Sequence, residues 1–213
     1  MKLTTLIFIL TFLLFPSLVF SKNSNEVQIP SGEFSAGPPG NGKTKSLPFF
    51  YIDRTEVTQK DYLKVVGSNP SFFKGENLPV EKVTWFDARD YCLAVGKRLP
   101  TEWEWEKAAK AGSTTRFFWG DEVNPEYAWY KKNAKKRTHP VGSKKPNALG
   151  LFDMAGNVWE WTSSNAEGLG KIMRGGSWRN KSRSLRSHHR ITSLPHFKYH
   201  YVGFRCARDD QGS

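Results

Sequence analysis

The sequence predicts a loop-rich α+β domain, on two observations. Between Thr58 and Gly112, a threonine precedes each of three amphipathic segments and a glycine ends it, which is typical of short helices. The residues after Gly112 are rich in Gly, Asn, Pro, Ser and Trp and carry only short apolar runs, which favours irregular structure held by turns and aromatic packing. No linker, repeat or low-complexity tract divides the chain, so we expect one domain.

Residues 1–21 are predicted to be a secretory signal peptide. Lys2 precedes an apolar run, and Val19 and Ser21 fit the small-residue spacing of a cleavage site. A membrane anchor is the alternative, but Pro16 interrupts the run, and no later segment is apolar for long enough to cross a bilayer. We therefore expect a periplasmic or secreted protein with no stable membrane anchor after cleavage.

Strands are predicted to come first. "VQIPSGEFSAGPPG" indicates two short strands with a turn at Gly32, and "FFYID" looks extended. The spacing of the apolar residues then changes from that of a strand to that of a helix. Thr58 is the expected N-cap of this helix, which stops at Gly67. The expected apolar residues of that helix are Tyr62, Val65 and Val66.

Two more helices are predicted to follow. Thr84 caps the second, which ends at Gly96. Thr101 caps the third, with Glu104 completing a capping box and Gly112 ending the helix. The expected apolar stripe of the second helix is Phe86, Ala88, Tyr91, Cys92 and Val95.

Positive charge is concentrated in two stretches of a chain whose formal net charge is +12. Residues 169–208 contain Lys and Arg but no Asp or Glu, and "KKNAKKR" covers residues 131–137. A solvated basic face is one interpretation. The other is an anionic partner such as lipopolysaccharide, an acidic glycan or an acidic protein. We expect no nucleic-acid partner, because the signal peptide directs the protein to another compartment.

The chain has two cysteines, Cys92 and Cys206. In an exported protein without a CxxC spacing, one disulfide is the simpler interpretation, and a free catalytic thiol is the alternative.

The segment "GLFDMAGNVWEW" combines two carboxylates, a turn and two indoles. In an extended segment, Trp159 and Trp161 share one face while Glu160 points to the other. Together with Asp153, Glu160 could bind Ca²⁺, with Gly156 turning carbonyl oxygens inward. On spacing alone, the alternative is that both acids bond loop N–H groups or pair with arginines.

Four motifs in order resemble one family: "VTWFDARDYCLAVGKRLPTEWEWEKAAKAG", "PVGSKKPNALGLFDMAGNVWEWTS", "RGGSW" and "GFRCA". They are similar to the formylglycine-generating enzyme, or sulfatase-modifying-factor, domain family over residues 27–208. The resemblance implies a C-type-lectin-like fold with little regular secondary structure.

The resemblance also implies a metal site and a cross-link. In that family the segment matching Asp153–Glu160 holds calcium. The implied ligands are the side chains of Asp153 and Glu160 and the carbonyl oxygens of Gly156 and Val158. An upstream family site would fall near Ala128–Asn133, which lacks acids here, so we expect it to be absent. The family's disulfide corresponds to Cys92 and Cys206.

The family's catalytic thiols are missing. Members that oxidise a substrate cysteine to formylglycine bind copper through two cysteines shortly after the Gly-Gly-Ser, because Cu(I) prefers thiolates. Those positions are Asn180 and Leu185 here. We therefore expect neither copper nor that oxidase activity, and we assign no catalytic residue. Any remaining chemistry would rest on a buried carboxylate or a tyrosine, and the candidate is Glu160, in competition with its calcium role.

Histidines in the tail offer other metal ligands, since imidazole suits copper, iron and zinc. They are His188, His189, His196 and His200. "PHFKYHYVGF" is predicted to be extended, which would hold His196 and His200 about 13 Å apart. A structural role is favoured, and metal binding is the alternative.

Two functions follow. The first is a calcium-stabilised binding or accessory module whose basic groove binds a peptide, protein or anionic glycan in the periplasm. The expected groove residues are Trp178, Arg179, Lys181, Arg183 and Arg186. The second is a metal-dependent periplasmic oxidoreductase, using non-heme iron or copper, that matures a peptide or protein. Resemblance to periplasmic relatives that mature the pyoverdine chromophore implies this alternative.

Overall fold

The computed structural model describes residues 25–210. The predicted signal peptide, residues 1–21, lies outside that range. The helices are α1 (Gln59–Val66), α2 (Trp85–Ala94) and α3 (Glu102–Lys110). The strands are β1 (Glu26–Ile29), β2 (Gly32–Ala36), β3 (Lys43–Leu47), β4 (Phe50–Asp53), β5 (Trp159–Asn165), β6 (Lys171–Arg174), β7 (Arg190–Ser193), β8 (Val202–Gly203) and β9 (Ala207–Asp209). One 3₁₀ helix spans Ser182–Leu185. The α+β, loop-rich prediction is confirmed.

The predicted helix caps are confirmed. The side-chain oxygens of Thr58, Thr84 and Thr101 each accept the backbone N–H three residues on, at 3.1, 3.0 and 3.1 Å. These bonds satisfy N–H groups that have no partner inside the helix. Gly67 ends α1 in the left-handed conformation, with φ of 77°. Helix α3 ends at Ala111, which is also left-handed, one residue before the predicted glycine.

The predicted apolar faces of α1 and α2 are partly wrong. On α1, Tyr62 is buried, but Val65 and Val66 are exposed, and the second buried residue is Gln59. The polar Gln59 is buried because its amide donates to the carbonyl oxygens of Phe73 and Pro79. On α2, the buried residues are Trp85, Ala88, Tyr91 and Cys92. Phe86 and Val95 lie at the margins of this narrower stripe and are exposed.

Three small sheets form the rest of the framework. Strand β4 pairs with β1 on one side and β9 on the other, β2 pairs with β3 in a hairpin, and the third sheet has the order β7-β6-β5-β8. The strands expected in residues 27–40 and 49–53 are present. Residues 195–201, expected to be extended, instead form turns and loop, and only Val202–Gly203 is strand.

The core joins α2, β5 and the segment before β9. Trp159 and Trp161 pack with Tyr91 in the largest apolar cluster. Cys92 and Cys206 lie in the same cluster and are bonded, with their Cα atoms 5.7 Å apart, so the predicted disulfide is confirmed. Within residues 25–210, none of the helices has the length and apolarity to cross a membrane.

Candidate functional site

The loop before β5 has an unusual backbone. Asp153, Gly156 and Asn157 all adopt left-handed conformations, with φ of 56°, 89° and 53°. At Gly156 a Cβ atom would lie 2.2 Å from the carbonyl oxygen of Trp129, so this position requires glycine. Asn157 is among the residues that tolerate this conformation, and its carboxamide also accepts the N–H of His139 at 3.0 Å.

Glu160 is paired inside the protein. Its carboxylate forms a two-point ion pair with Arg205, from Nε to Oε2 at 2.7 Å and from Nη2 to Oε1 at 2.8 Å. Trp105 Nε1 also donates to Oε2, at 2.7 Å. Strand alternation explains this position, because Glu160 points away from the cluster that buries Trp159 and Trp161. The arginine pairing that spacing left open is therefore present.

Asp153 is buried with half of its carboxylate unused. Oδ2 accepts the N–H of Gly142 at 2.7 Å, whereas Oδ1 has no hydrogen-bond partner among the described residues. Burial raises the pKa of Asp153 to about 6, against the lowering effect of the Gly142 bond. The orphaned oxygen is the strongest sign that something else balances this group.

Glu56 is a third buried acid that the sequence reasoning missed. Its carboxylate accepts the Asn157 side-chain amide at 2.7 Å and the Val158 N–H at 3.1 Å. Burial raises the pKa of Glu56 well above its ordinary value, and repulsion from Asp153 and Glu160 adds to this. Nothing in the residues around Glu56 indicated a buried acid, since the contacts come from a loop about a hundred positions away.

Glu56, Asp153 and Glu160, with Arg205, form what we call the buried carboxylate cluster. Three carboxylates face one guanidinium, so a cation or protons must offset the remaining charge. The oxygen atoms available at this cluster fit calcium, which prefers oxygen ligands. Asp153 Oδ1 is free, Glu160 Oε1 keeps a lone pair, and no described residue donates to the carbonyl oxygens of Gly156 or Val158.

No three His, Cys, Asp or Glu side chains within residues 25–210 gather into a metal site, so carbonyl oxygens would have to supply the remaining ligands. The calcium site at Asp153, Gly156, Val158 and Glu160 stays a prediction. In the upstream segment Ala128–Asn133, the Asn133 amide donates to the carbonyl oxygen of Ala128 at 2.8 Å.

Glu160 stays a candidate only for chemistry that uses a buried carboxylate. The residue is 0% exposed, and Arg205 and Trp105 hold both of its oxygens.

The resemblance aligns Asn180 and Leu185 with the family's two thiols, and both side chains make structural contacts here. Asn180 Oδ1 accepts the Trp159 indole N–H at 2.9 Å and the Ser177 hydroxyl at 2.5 Å. Leu185 is buried in a small apolar cluster with Phe117. Neither side chain carries a soft ligand, and neither is free to move toward a substrate.

Next to Asn180 lies a cavity of about 300 Å³. Its lining residues are Lys131, Lys136, Trp178, Arg179 and His200. Trp178 and Arg179 of the predicted groove therefore meet in one cavity. The structure does not bring Lys181, Arg183 or Arg186 into its lining. Lys181 and Arg183 are exposed and Arg186 is half-buried, so the full groove stays a prediction.

The tail histidines are dispersed. His200 lines the cavity, His189 contacts Trp159, and His196 is exposed beside Phe197. Burial lowers the pKa values of His188, His189 and His200. Since no three ligating side chains gather in the described part of the chain, any metal here would be held by at most two of them.

A larger cavity, about 540 Å³, lies between the β2–β3 hairpin and the end of α3. Its two lysines are engaged: Lys107 donates to the carbonyl oxygens of Pro30 and Gly32, and Lys110 to those of Ser35 and Gly37. These bonds attach the hairpin to α3. None of the predicted site residues lines this cavity.

Comparison with known proteins gives a family match over residues 14–210, to the family described as "Sulfatase-modifying factor enzyme 1-like domain". The chain is 35% identical to "Chaperone protein LppX" of Paenibacillus barcinonensis over 71% of this chain and 78% of that protein. It is 35% identical to a formylglycine-generating enzyme of Streptomyces coelicolor over 62% of this chain and 53% of the enzyme. It is 38% identical to "Inactive C-alpha-formylglycine-generating enzyme 2" of Bos taurus over 61% of this chain and 50% of that protein. The matched region thus spans about half the length of these last two relatives.

Two solved structures share the fold over most of their length. "Treponema denticola variable protein 1" superposes with a TM-score of 0.79 and 27% identity, covering 87% of this chain and 95% of that one. PvdO from Pseudomonas aeruginosa superposes with a TM-score of 0.75 and 26% identity, covering 87% of this chain and 94% of PvdO. Both are solved proteins that the described chain resembles along nearly its whole length.

Proposed function

Because the chain belongs to the sulfatase-modifying factor enzyme 1-like domain family, we propose that it is an exported binding or accessory module for an acidic peptide, protein or glycan, without formylglycine-generating activity. One observation carries the proposal: Asn180 and Leu185 stand where the family's thiols would be, and both are held by packing and hydrogen bonds. Export rests on the predicted signal peptide alone.

The chemistry of copper supports the loss of oxidase activity. Cu(I) prefers thiolate ligands, and an amide and an alkyl group supply none. Both cysteines are consumed in the disulfide. The similarity to a relative named as an inactive formylglycine-generating enzyme agrees with this proposal but does not test it.

The charge beside Asn180 supports an acidic partner. Lys131, Lys136 and Arg179 line the 300 Å³ cavity, and their side chains form no ion pair with a described carboxylate. Unpaired cations around a concave surface attract anions and accelerate their association. A name that denotes a chaperone, LppX, among the relatives is compatible with an accessory role.

Calcium completes the proposal as a structural ion. It would be held by the side chains of Asp153 and Glu160 and the carbonyl oxygens of Gly156 and Val158. The ion would offset the excess negative charge of the buried carboxylate cluster. Its role would be to stabilise the loop behind the binding surface rather than to contact the partner.

The test is binding of labelled poly-glutamate to the purified protein at low and at moderate salt. We expect measurable affinity that falls with salt, and at least a tenfold loss in Arg179→Glu, because a repulsive charge then replaces an attractive one. The matched control is Lys43→Glu, an exposed lysine on the β2–β3 hairpin. The absence of affinity for poly-glutamate, a sulfated glycan and an acidic protein at both salt concentrations would overturn the proposal.

The second candidate, a metal-dependent oxidoreductase, is favoured by the likeness to PvdO. It would rest on the tail histidines. Metal analysis of the purified protein separates the two functions. Stoichiometric iron or copper that is lost when His188, His189 or His196 becomes Ala would favour the oxidoreductase, whereas calcium alone would favour the binding module.

A further inference from the structure

A rigid loop presents an exposed aromatic ring beside the cavity. Phe72 is 64% exposed, although its loop is held in place from below. Gln59 accepts N–H groups from Asn69 and Gly75 and donates to the carbonyl oxygen of Phe73. Glu81 accepts the N–H of Phe73 at 2.8 Å. A ring that is mostly exposed adds little buried area to the fold, whereas its position on a hydrogen-bonded loop lowers the entropic cost of binding a partner.

Phe72 is the outermost of four rings. Its ring centroid lies 5.0 Å from that of Phe73, at an interplanar angle of 88°, and 5.7 Å from that of His200. Phe73 meets Trp178 edge to face, at 5.6 Å and 87°. Trp178 in turn lies 5.5 Å from His200 and donates its indole N–H to the His200 carbonyl oxygen. We call Phe72, Phe73, Trp178 and His200 the aromatic pocket: Trp178 and His200 line the cavity, and Phe72 and Phe73 contact these two rings without being part of its lining.

The rim of the aromatic pocket is cationic. Lys131, Lys136 and Arg179 line the same cavity as Trp178 and His200, and no acidic residue of the described chain lines it. Arg179 is positioned by its guanidinium carbon, which lies 4.5 Å from the centre of the Tyr201 ring. The cavity volume of about 300 Å³ lies at the lower end of the range for small-ligand pockets.

We propose that the aromatic pocket binds an aromatic side chain flanked by carboxylates in an acidic peptide. The inference rests on the proposed function and names its ligand class. A further aromatic ring can pack edge to face on the exposed ring of Phe72, as Phe73 does from the other side of the contact. The flanking carboxylates pair with the cationic rim. A stacked sugar would need an open indole face, but Trp178 is only 9% exposed.

The test uses the full chain and a labelled pentapeptide, Glu-Asp-Phe-Asp-Glu. Probe variants carry Leu or Ala at the centre, or Lys in place of the acids, and a sulfated oligosaccharide serves as the glycan probe. Binding is measured by fluorescence polarisation at fixed low salt. Phe72→Ala is the pocket variant, and Leu169→Ala, an exposed apolar residue in the β5–β6 turn, is its control. Phe72 is exposed enough that its removal leaves the fold intact, which a thermal melt verifies.

We expect the Phe-centred peptide to bind about tenfold tighter than the Ala-centred one, the scale of one buried aromatic contact. Phe72→Ala should abolish that difference, and Leu169→Ala should keep it. Equal affinity for the Phe- and Ala-centred acidic peptides, with salt dependence retained, overturns this inference and leaves the proposed function standing. Tight glycan binding that depends on Phe72, without peptide binding, overturns it in favour of a carbohydrate ligand. No binding of any acidic probe overturns both.

Discussion

The buried carboxylate cluster and the aromatic pocket differ in whether their charged side chains are paired inside the protein. In the cluster, Glu160 has Arg205 and Trp105 as partners, and water is excluded. In the pocket, Lys131, Lys136 and Arg179 line a cavity with Trp178 and His200, and they form no ion pair with a carboxylate of residues 25–210. The first arrangement pairs most of its polar groups inside the fold and leaves Asp153 Oδ1 unpaired, whereas the second leaves its cations available to a partner. The conspicuous "GNVWEW" motif therefore contributes to stability, and the recognition surface that we propose consists of other residues.

The largest effect we expect is on the cross-link behind the cluster. Cys92→Ala with Cys206→Ala should lower the free energy of unfolding by ~4–5 kcal/mol, because the bond closes a loop of 114 positions. Urea denaturation of the parent and the double variant measures the difference. Binding of the acidic peptide should survive at temperatures where the variant is folded. A loss below 1 kcal/mol would show that the unfolded chain gains little freedom from reduction.

The next effect is on the ion pair. Arg205→Met should destabilise the protein by about 3–5 kcal/mol, because it leaves Glu160 buried without a counter-charge. The matched control is Arg179→Met, which should change stability by no more than about 0.5 kcal/mol. Chemical denaturation of both variants tests the contrast between the two regions. Similar losses from the two substitutions would contradict it.

The third effect is the stabilisation of the buried carboxylate cluster by calcium. Calcium at a hundredfold excess over its dissociation constant should stabilise the parent by ~2.7 kcal/mol. Asp153→Asn should remove most of that gain and differ little from the parent in chelator, because the orphaned Oδ1 is the ligand lost. Thermal melts with and without calcium provide the measurement. If the parent protein has the same melting temperature with and without calcium, the proposed calcium site is wrong.

The smallest effect concerns the support of the aromatic pocket. Burial raises the pKa of Glu81 from its ordinary value of 4.5 to about 7, although Phe73 and Phe72 donate to it. The stability that the protonated acid contributes is full below pH 4.5 and is lost as the pH rises through 7. Glu81→Gln keeps the bond to Phe73, so between pH 4.5 and 7.5 it should gain roughly 1–3 kcal/mol relative to the parent.

Denaturation at several pH values checks this dependence. Lys43→Gln on the hairpin is the control, since it should follow the parent at every pH. Parallel stability curves for the parent and Glu81→Gln would mean that Glu81 titrates normally and that the loop beneath Phe72 is wetter than the structure indicates.

The sequence predicted the local features well, but apart from the Cys92–Cys206 disulfide it predicted the long-range contacts poorly. Thr58, Thr84 and Thr101 were found as caps because capping depends on residues within one turn. The exposure of Val65 and Phe86 was missed, since apolar periodicity does not reveal how much of a short helix the core covers.

The site shows the same limit. Asp153 and Glu160 were recognised by spacing and resemblance, but Glu56 was missed because its partners lie about a hundred positions away. Phe72 gave no signal at all, because a lone exposed phenylalanine is ordinary in a sequence and informative only beside Trp178 and His200.

The position of Arg205, Cys206 and β9 has a consequence for biosynthesis. Strand β4 and Cys92 are made early, yet β4 receives its second neighbour, Glu160 its counter-charge and Cys92 its sulfur partner only from residues 205–209. Until that short stretch has left the ribosome, the nascent domain holds unbalanced acids and an open sheet edge. We therefore expect the domain to complete its folding only after residues 205–209 have been synthesised.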